Sequence, residues 1–306
     1  MHGSHPQKIG CLTIKTGNDT MREAAEMPRP QSLFPHLVFE GECSCLFSDT
    51  NVGKSIFAVQ MGDRIASQGK IVAYYDFELS PQQFRIRCSG EDGAPHLFPG
   101  TFYRIEINAE GVDEKTDIMA SIEQSAQAIN SDVLIIDNLS WLCMDSEDAS
   151  SANALMKAIK SMQIRHGWTI IVVAHTPKRN ETMPLSVNDL AGSRQLANFF
   201  DSIFALGRCV TDNHKRYLKQ LKVRIEEPLY TSQNVYTCEI GRRDNMLQMI
   251  GCGFSTEKAM LRSEEDIQAD NLAAHIKELY NKGMDVKEIS AETGESISKI
   301  QKIVRK

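Results

Sequence analysis

The chain has 306 residues, 42% of them hydrophobic and 24% charged, a composition typical of a soluble globular protein with one sizeable core and an appendage. No stretch approaches the roughly 18 apolar residues of a membrane-spanning helix, and no apolar signal-peptide centre is found near the N-terminus, so we expect a cytoplasmic protein without a membrane partner. The formal charge of −6 argues against a broad polyanion-binding surface, so any contact with nucleic acid must be local.

Eight cysteines are distributed along the chain without a C-x-x-C pair, and most of them lie within apolar runs. This pattern favours reduced core residues over zinc ligands or disulfides. The eight are Cys11, Cys43, Cys45, Cys88, Cys143, Cys209, Cys238 and Cys252.

Composition divides the chain into four regions. Residues 1–31 are polar, with two prolines near their end, and are predicted to form a flexible N-terminal arm. In residues 32–254, apolar runs alternate with amphipathic helical patterns, which predicts a three-layer α/β domain with a mainly parallel central sheet. Residues 255–269 are polar and acidic and are predicted to be a linker, which leads to a small all-α module at residues 270–306.

A loop between a predicted strand at residues 43–47 and a predicted helix at residues 55–67 carries the first chemical signal. Residues 48–55 read SDTNVGKS, which matches the phosphate-binding pattern G-x-x-x-x-G-K-[ST] except that Ser48 replaces the first glycine. Backbone N–H groups of such a loop surround the β-phosphate, and the positive end of the following helix adds to the attraction. We therefore predict a nucleoside triphosphate site.

Nine consecutive residues are predicted to bind the nucleotide: Ser48, Asp49, Thr50, Asn51, Val52, Gly53, Lys54, Ser55 and Ile56. Lys54 is also predicted to act in catalysis by contacting the β- and γ-phosphates, and the Ser55 hydroxyl is also predicted to bind Mg²⁺. The alternative is a chance Gly-Lys-Ser tripeptide at a helix start. The order of strand, loop and helix favours a genuine phosphate loop.

Two predicted strands downstream of the loop end in acids. A strand at residues 70–77 is followed by Glu78, a position from which a carboxylate can orient or deprotonate the attacking water. A buried strand at residues 132–137 ends in Asp137, which we predict to lie beside the Mg²⁺. The alternatives are an exposed glutamate at a strand end and an ordinary apolar strand of any α/β protein.

A further strand is predicted at residues 168–174 and is followed by His175. The ends of parallel strands line the site, so His175 is placed to contact the γ-phosphate or the attacking water and to report the nucleotide state to the next loop. The alternative, that His175 merely caps the strand, stays open.

In this order, the segments resemble the RecA-type ATPase core, in particular the plasmid replication helicases of the RepA type and the replicative helicases of the DnaB type. The resemblance covers residues 32–253 and rests on the order of FSDTNVGKS, YYDFELSPQQFRIR, VLIIDN, VVAHTPKR and NDLAGSRQLANFFDSIFAL. It implies a RecA-like P-loop NTPase fold that binds and hydrolyses ATP with Mg²⁺. It also implies that Glu78 is the catalytic glutamate, Asp137 the metal-side aspartate and His175 the sensor residue.

The segment LKVR at residues 221–224 resembles the K-x-R element that these helicases place against the nucleotide of a neighbouring subunit. Lys222 and Arg224 would then be catalytic residues acting in trans. Such a contact joins two different faces of the subunit and produces a ring or filament, and the family resemblance favours a homohexamer. The alternative is a solvated face of an edge strand with alternating basic residues.

The C-terminal module has its own signals. Apolar spacing predicts a helix at residues 272–281 ended by Gly283, a second helix capped by Asp285, and a last helix that begins after Ser296. The last helix is predicted to point Ile297, Ile300, Ile303 and Val304 inward. The module resembles small DNA-binding helix-turn-helix domains, with Lys299, Lys302, Arg305 and Lys306 as predicted DNA-binding residues. The alternative is a helical hairpin that docks to another protein.

Two functions follow as expectations. In the first, the protein is an ATP-driven helicase or loader on DNA, with single-stranded DNA at the core and duplex DNA at the C-terminal module. In the second, it is an ATP-dependent DNA-binding regulatory or assembly protein without helicase activity.

Overall fold

The computed structural model describes residues 7–111, 116–142, 149–177, 179–190 and 194–304. The strands are β1 (Gln7–Ile9), β2 (Leu12–Ile14), β3 (Ser32–Phe34), β4 (Val38–Phe39), β5 (Cys43–Ser48), β6 (Val72–Asp76), β7 (Phe102–Ile105), β8 (Val133–Asp137), β9 (Thr169–His175), β10 (Ser202–Arg208), β11 (Lys215–Lys222), β12 (Val235–Arg243) and β13 (Met246–Ser255). The α-helices are α1 (Gly17–Glu26), α2 (Lys54–Ala66), α3 (Pro81–Arg87), α4 (Ile118–Ala128), α5 (Leu139–Leu142), α6 (Ala149–His166), α7 (Arg194–Ala197), α8 (Glu257–Leu261), α9 (Glu264–Asn281), α10 (Val286–Thr293) and α11 (Ile297–Val304).

Nine strands form one sheet in the order β13-β12-β11-β10-β5-β9-β8-β6-β7. The strands from β10 to β7 are parallel, and β11, β12 and β13 extend the sheet in antiparallel fashion. Strands β5 and β8 are buried along their whole length, which explains their continuous apolar runs. At the carboxyl edge of the parallel strands, Ser48 pairs with His175 and Asp76 pairs with Asp137.

Helices cover both faces of the sheet. On one face, α2 packs through Phe57, Met61 and Ile65, which recur every four residues and so lie on one side of the helix. On the other face, α6 packs through Met156 and Ile159. The predicted three-layer α/β fold with a mainly parallel sheet is therefore confirmed, and the predicted strands and helix around the phosphate loop end within two residues of the observed positions.

The N-terminal region contains regular structure. Strands β1 and β2 form an antiparallel hairpin, and α1 follows, with the Thr16 side chain accepting a hydrogen bond from the backbone N–H of Asp19. None of residues 7–30 is buried. The described part of the predicted arm is thus locally ordered by hydrogen bonds, although it adds nothing to the core.

The predicted linker at residues 255–269 differs from the structure. Helix α8 lies within it and packs on the α/β domain, and α9 begins at Glu264. Glu257 is buried and forms an ion pair with Lys219 at 2.5 Å, and its other carboxylate oxygen accepts a hydrogen bond from the backbone N–H of Leu185 at 2.8 Å. The acidic composition of this stretch was misleading because one of its carboxylates is a buried partner of a buried lysine.

Three helices, α9, α10 and α11, form the C-terminal module around a small core of Ile276, Leu279, Ile289 and Ile300. Asp285 and Glu288 form a capping box at the start of α10, and Gly294 ends this helix with φ 72°. Ile297, predicted to point inward, is 43% exposed, because it begins α11 before the helix reaches the module's core.

The described cysteines are free thiols, and five of them are buried as predicted. Cys11 and Cys252 are exposed, which corrects the expectation of core positions for these two, and Cys143 lies outside the described residues. Over the described ranges, no helix has both the length and the apolarity that crossing a membrane requires.

Candidate functional site

The phosphate loop connects β5 to α2. Ser48 is the last residue of β5, where an extended backbone accommodates a side chain, and its hydroxyl donates to the carbonyl oxygen of Asp49 at 2.9 Å. The left-handed turn of the loop falls instead on Asn51 (φ 60°) and Gly53 (φ 112°). A Cβ atom on Gly53 would collide with the Met249 side chain and lie 2.9 Å from Cδ1 of Ile240. The second glycine of the motif is therefore required here, whereas serine is tolerated at the first.

Lys54 begins α2 and is only 6% exposed. Its Nζ donates to the carbonyl oxygens of Ser48 at 2.9 Å and of Asp49 at 3.0 Å, so the ammonium group lies at the start of the loop. Burial lowers the pKa of Lys54, and the charges of Asp137, Glu78 and Asp49 oppose this shift. The negative charges of these three acids therefore stabilise the protonated form of the buried lysine.

Asp137 ends β8 and is fully buried. Its Oδ2 accepts a hydrogen bond from the Tyr74 hydroxyl at 2.7 Å. Burial raises the pKa of Asp137 to about 6, against the opposing hydrogen bonds from Tyr74 and Ser55, while the neighbouring Glu78 adds to the increase. The hydroxyl of Ser55 and the carboxylate of Asp137 are therefore in contact, and this pair of hard oxygen donors fits the ligand preference of Mg²⁺.

Glu78, Asn138 and His175 meet at the carboxyl edge of the sheet. The Asn138 side-chain amide donates to Oε1 of Glu78 and lies 2.9 Å from Nε2 of His175. The same Nε2 also lies 3.5 Å from Oε1 of Glu78, so the amide and the carboxylate converge on one nitrogen of the ring. Burial and the Lys54 charge lower the pKa of His175, which agrees with a neutral ring. Glu78 remains 45% exposed to the cleft.

Asn138 was not assigned a role from the sequence. Its position directly after the strand-end Asp137 was the available signal, because this places its side chain at the same edge of the sheet.

Asp49 connects the phosphate loop to the segment after β9. Its Oδ1 accepts a hydrogen bond from the Thr176 hydroxyl, and its Oδ2 lies 3.6 Å from the Arg179 guanidinium. Arg179 also lies 3.7 Å from Oδ1 of Asp189. The loop is therefore joined by polar contacts to the segment that follows the predicted sensor strand.

A cleft of about 220 Å³ opens beside the loop. Its lining residues are Thr50, Asn51, Gly53, Lys54, Ser55, Ile56, Glu78, Arg87, Asp137, His175 and Ile240. The structure thus brings six of the nine predicted nucleotide-binding residues together with Glu78, Asp137 and His175. Of the other three, Val52 is buried behind the loop, where its carbonyl oxygen accepts from Arg216 at 3.4 Å. Ser48 and Asp49 accept from Lys54 through their carbonyl oxygens.

Lys222 and Arg224 are not near the cleft of their own chain. β11 runs antiparallel to β10, so Lys222, its last residue, lies towards the amino-terminal edge of the parallel strands. Its Nζ donates to the carbonyl oxygens of Ala197 at 3.0 Å and Phe200 at 2.6 Å. Arg224 is 57% exposed and pairs with Asp201 at 2.8 Å.

Strand β11 lies between β10 and β12 and is not an edge strand, but β12 pairs only with Lys215–Leu218, so a solvated face at Lys222 and Arg224 remains compatible with the sheet. A catalytic role for Lys222 and Arg224 requires a second copy of the chain, because their own cleft lies at the opposite edge of the sheet.

The predicted DNA-binding residues lie on or after α11. Lys299 pairs with Glu295 at 2.8 Å, and Lys302 is exposed in the last turn of the helix. Arg305 and Lys306 lie outside the described residues. Residues 191–193, within the segment that resembled the helicases, also lie outside them.

Comparisons with known proteins agree with this geometry. The AAA_25 family, described as an AAA domain, matches residues 13–181, more than half of the chain. The fold is similar to that of a KaiC-like protein from the hyperthermophilic archaeon Pyrococcus horikoshii OT3, with a TM-score of 0.51 and 19% sequence identity over 69% of this chain and 90% of that one. No curated protein is similar enough to count as a match. The chain belongs to the AAA_25 family and is an ATP-binding, RecA-like P-loop ATPase.

Proposed function

We propose that the protein hydrolyses ATP in this cleft and uses the reaction to act on DNA, as a RepA-type replicative helicase or as a loader for a plasmid or mobile element. The observation that carries the hydrolysis is the meeting of Glu78, Asn138 and His175 beside Lys54 and Asp137. This edge of the sheet supplies a base, a positioning amide and a phosphate-binding cation within one cleft.

Three residues have roles towards ATP and its metal ion. Lys54 would leave the loop carbonyls and contact the β- and γ-phosphates as a point charge. Ser55 and Asp137 would hold Mg²⁺ through oxygen atoms, directly or through water. When bound, Mg²⁺ would neutralise the phosphate charge that develops during hydrolysis.

Glu78 would act as the general base. A water oxygen forms a bond to the γ-phosphorus, the bond from that phosphorus to the β–γ bridging oxygen breaks, and the water proton passes to Glu78 while ADP leaves. Asn138 would hold the Glu78 carboxylate in place. His175, in its neutral form, would contact the water or the γ-phosphate through a ring N–H.

Completion of the site would require a neighbouring subunit. Lys222 and Arg224 lie away from their own cleft, so in a ring they would reach the cleft of the next subunit and stabilise the γ-phosphate charge. The exposure of Arg224 supports this role. We propose a homohexamer by resemblance to the RepA and DnaB groups.

DNA is the proposed partner on two grounds. The order of the motifs resembles replicative helicases, whose cores act on single-stranded DNA. The C-terminal module presents Lys299 and Lys302 on α11, which supports a local contact with duplex DNA in a chain of net negative charge.

An ATP-dependent regulatory or assembly protein without helicase activity is the second candidate. The Lys222 ammonium is already bonded to two carbonyl oxygens of its own chain, and burial together with the Arg224 charge lowers the pKa of Lys222. A lysine held in this way would be slow to reach a neighbouring nucleotide, which favours slow hydrolysis that switches assembly.

The deciding experiment measures ATP turnover by the full chain with and without single-stranded DNA, together with unwinding of a forked duplex. Strong stimulation with unwinding supports the helicase, and turnover without unwinding supports the loader or the regulator. Absence of ATP binding would overturn both candidates.

The contribution of α11 is measured separately. Replacing Lys299 or Lys302 singly by glutamate should weaken retention on duplex DNA, whereas Lys277→Glu on α9 is a matched charge control. Equal DNA affinity in all three variants would exclude α11 as a DNA contact.

A further inference from the structure

A series of polar contacts runs from the phosphate loop to the start of the C-terminal module, and the proposed mechanism does not use it. The contacts follow residues 179–189, which come after β9 in the chain. One end of this segment is held at Asp49 of the loop, and the other end is held at Glu257 of α8. Only two residues separate α8 from α9, the first helix of the module.

Arg179 makes the contacts at the loop end of the segment. Its side chain is only 8% exposed, and its guanidinium lies 3.6 Å from Oδ2 of Asp49 and 3.7 Å from Oδ1 of Asp189. It also donates to the carbonyl oxygen of Met183. Displacing a buried guanidinium from two carboxylates is unfavourable, because burial leaves little water to replace them. Asp49 of the phosphate loop is thereby tied to both the middle and the end of the segment.

Glu257 and Lys219 make the contacts at the α8 end. These side chains are 2% and 9% exposed and form an ion pair at 2.5 Å. Both also bind the backbone of Leu185: its N–H donates to Oε1 of Glu257 at 2.8 Å, and its carbonyl oxygen accepts from Nζ of Lys219 at 2.7 Å. A movement of this backbone unit therefore disturbs a buried ion pair to which α8 contributes one member.

The two ends of the segment are close to each other. Asp189 accepts hydrogen bonds from the backbone N–H of Ser186 at 2.7 Å and from its hydroxyl at 3.1 Å, which fixes the turn directly after Leu185. Burial and the Glu257 charge raise the pKa of the Tyr217 hydroxyl, and the charges of Arg179 and Asp189 act on the same hydroxyl. The contacts at Arg179 and at Glu257 therefore lie within electrostatic range of one another.

Helix α9 faces the segment across an open cleft of about 500 Å³. Thr182 and Pro184 line the cleft from the segment, and Asp266 and Asp270 line it from α9. Along this cleft the two elements are not packed together. Helix α8, which is packed on the α/β domain through Met260 and Leu261, is thus the connection between the segment and the module.

Lys54 provides the step that depends on nucleotide. Its Nζ donates to the carbonyl oxygen of Asp49 at 3.0 Å, and the proposed contact with the β- and γ-phosphates requires it to leave this oxygen. The phosphates would at the same time be held by backbone N–H groups of the loop. ATP binding thus changes the partners of the residue from which the polar contacts start.

We propose that residues 179–189 couple ATP binding to the C-terminal module, through Arg179 at the phosphate loop and the Glu257–Lys219 pair at α8. Bound ATP immobilises the loop, Arg179 carries this constraint to the segment, and the buried pair carries it to α8 and the start of α9. This coupling rests on the proposed function and extends it, because it connects the nucleotide to the module for which a DNA contact is proposed.

The experiment measures hydrogen–deuterium exchange of the full chain with and without a saturating non-hydrolysable ATP analogue and Mg²⁺. The analogue should slow exchange at residues 257–270 by about 10-fold, which is within the usual range of coupling between two sites. The nucleotide-dependent difference is the decisive quantity, because a residue that only stabilises the fold changes exchange in both states. A direct titration gives the affinity for the analogue separately.

Two variants interrupt the series of contacts. Asp189→Asn keeps a capping oxygen and removes the charge opposite Arg179. Glu257→Gln combined with Lys219→Met removes the buried ion pair and keeps an oxygen for the N–H of Leu185. Both should bind the analogue as the wild type does, because none of the changed residues lines the nucleotide cleft. Both should lose the slowed exchange at residues 257–270.

Asp117→Asn is the matched control, because Asp117 also caps a helix through its side chain, at the start of α4. It should keep the slowed exchange. If the double variant does not fold, as judged by thermal unfolding, Asp189→Asn decides the question.

Two outcomes overturn the coupling and leave the proposed ATPase intact: slowed exchange that persists in a folded Asp189→Asn or double variant, or a wild type that binds the analogue without any change at residues 257–270. A wild-type protein that binds no ATP analogue overturns the proposed function, and the coupling with it.

Discussion

Replacement of Asp137 by asparagine should make the nucleotide-free protein more stable at neutral pH. Burial raises the pKa of Asp137 to about 6 from an ordinary value of 3.8. Because the pKa is higher in the folded protein, the protonated carboxyl group stabilises the fold at pH values below the pKa of the unfolded chain. This contribution is lost as the pH rises through about 6. The pKa of Asp137 in the folded protein thus exceeds its ordinary value by about two units. At about 1.4 kcal/mol per pKa unit, this difference amounts to about 3 kcal/mol of free energy of unfolding.

Asparagine removes the charge and keeps a carbonyl oxygen for the Tyr74 hydroxyl. Without nucleotide or metal ion, the variant should exceed the wild type in free energy of unfolding by up to about 3 kcal/mol at pH 7.5, and the difference should shrink towards pH 4. Urea unfolding at several pH values measures it. Asp132→Asn, an exposed acid just before β8, serves as the control and should follow the wild-type pH dependence.

The same variant should lose the Mg²⁺-dependent part of its nucleotide affinity at every pH, because one of the two proposed oxygen ligands has lost its charge. Parallel stability curves for Asp137→Asn and the wild type between pH 4.5 and 7.5 would refute the reasoning, since the ionised carboxylate would then carry no folding cost.

Three further predictions concern the loop, the base and the subunit contact. Glu78→Gln should keep nucleotide binding, because glutamine still accepts from Asn138, and should lower turnover by at least about 100-fold. Replacing Lys222 and Arg224 together by alanine should abolish turnover and spare binding, and mixing this variant with inactive Lys54→Ala protomers should restore activity if the site is shared; no recovery would contradict the trans arrangement. Gly53→Ala should cost about 1–3 kcal/mol of stability and abolish nucleotide binding, because the new Cβ meets both an unfavourable φ and the Ile240 side chain.

A matched glycine separates the two causes in the last case. Gly69 has φ 87°, but a Cβ added to it would have no atom within 4 Å. Gly69→Ala should therefore show only the backbone cost, about 1 kcal/mol. A similar loss in both variants would mean that packing against the β12–β13 hairpin is unimportant for the loop.

Motif order predicted which side chains meet at the carboxyl edge of the sheet, because Glu78, Asp137 and His175 each end or follow a strand that the apolar pattern reveals. Once β5, β6, β8 and β9 are placed in a parallel sheet, the ends of these strands must meet at one edge, and Glu78, Asp137 and His175 follow from that geometry. The replacement of the motif's first glycine by Ser48 has a local explanation as well, because the extended backbone at the end of β5 accommodates a serine side chain.

The less successful predictions involve contacts between residues far apart in the chain. Glu257 looked like part of an acidic linker because its partner, Lys219, lies on β11, whose place in the sheet no local pattern reveals. For Lys222, the sequence suggested either a catalytic role in trans or a solvated face, and no local pattern revealed that its ammonium bonds to carbonyl oxygens near the start of β10.

The amino-acid sequence by itself determined the layered α/β class, the phosphate loop and the acids at the strand ends, because periodicity and short motifs are local properties. Only the tertiary structure decided that Asn138 joins Glu78 to His175, and that a side chain at position 53 would meet Met249 and Ile240. These depend on the order and register of strands distant in sequence, and that order is set by how the whole core packs rather than by any one segment.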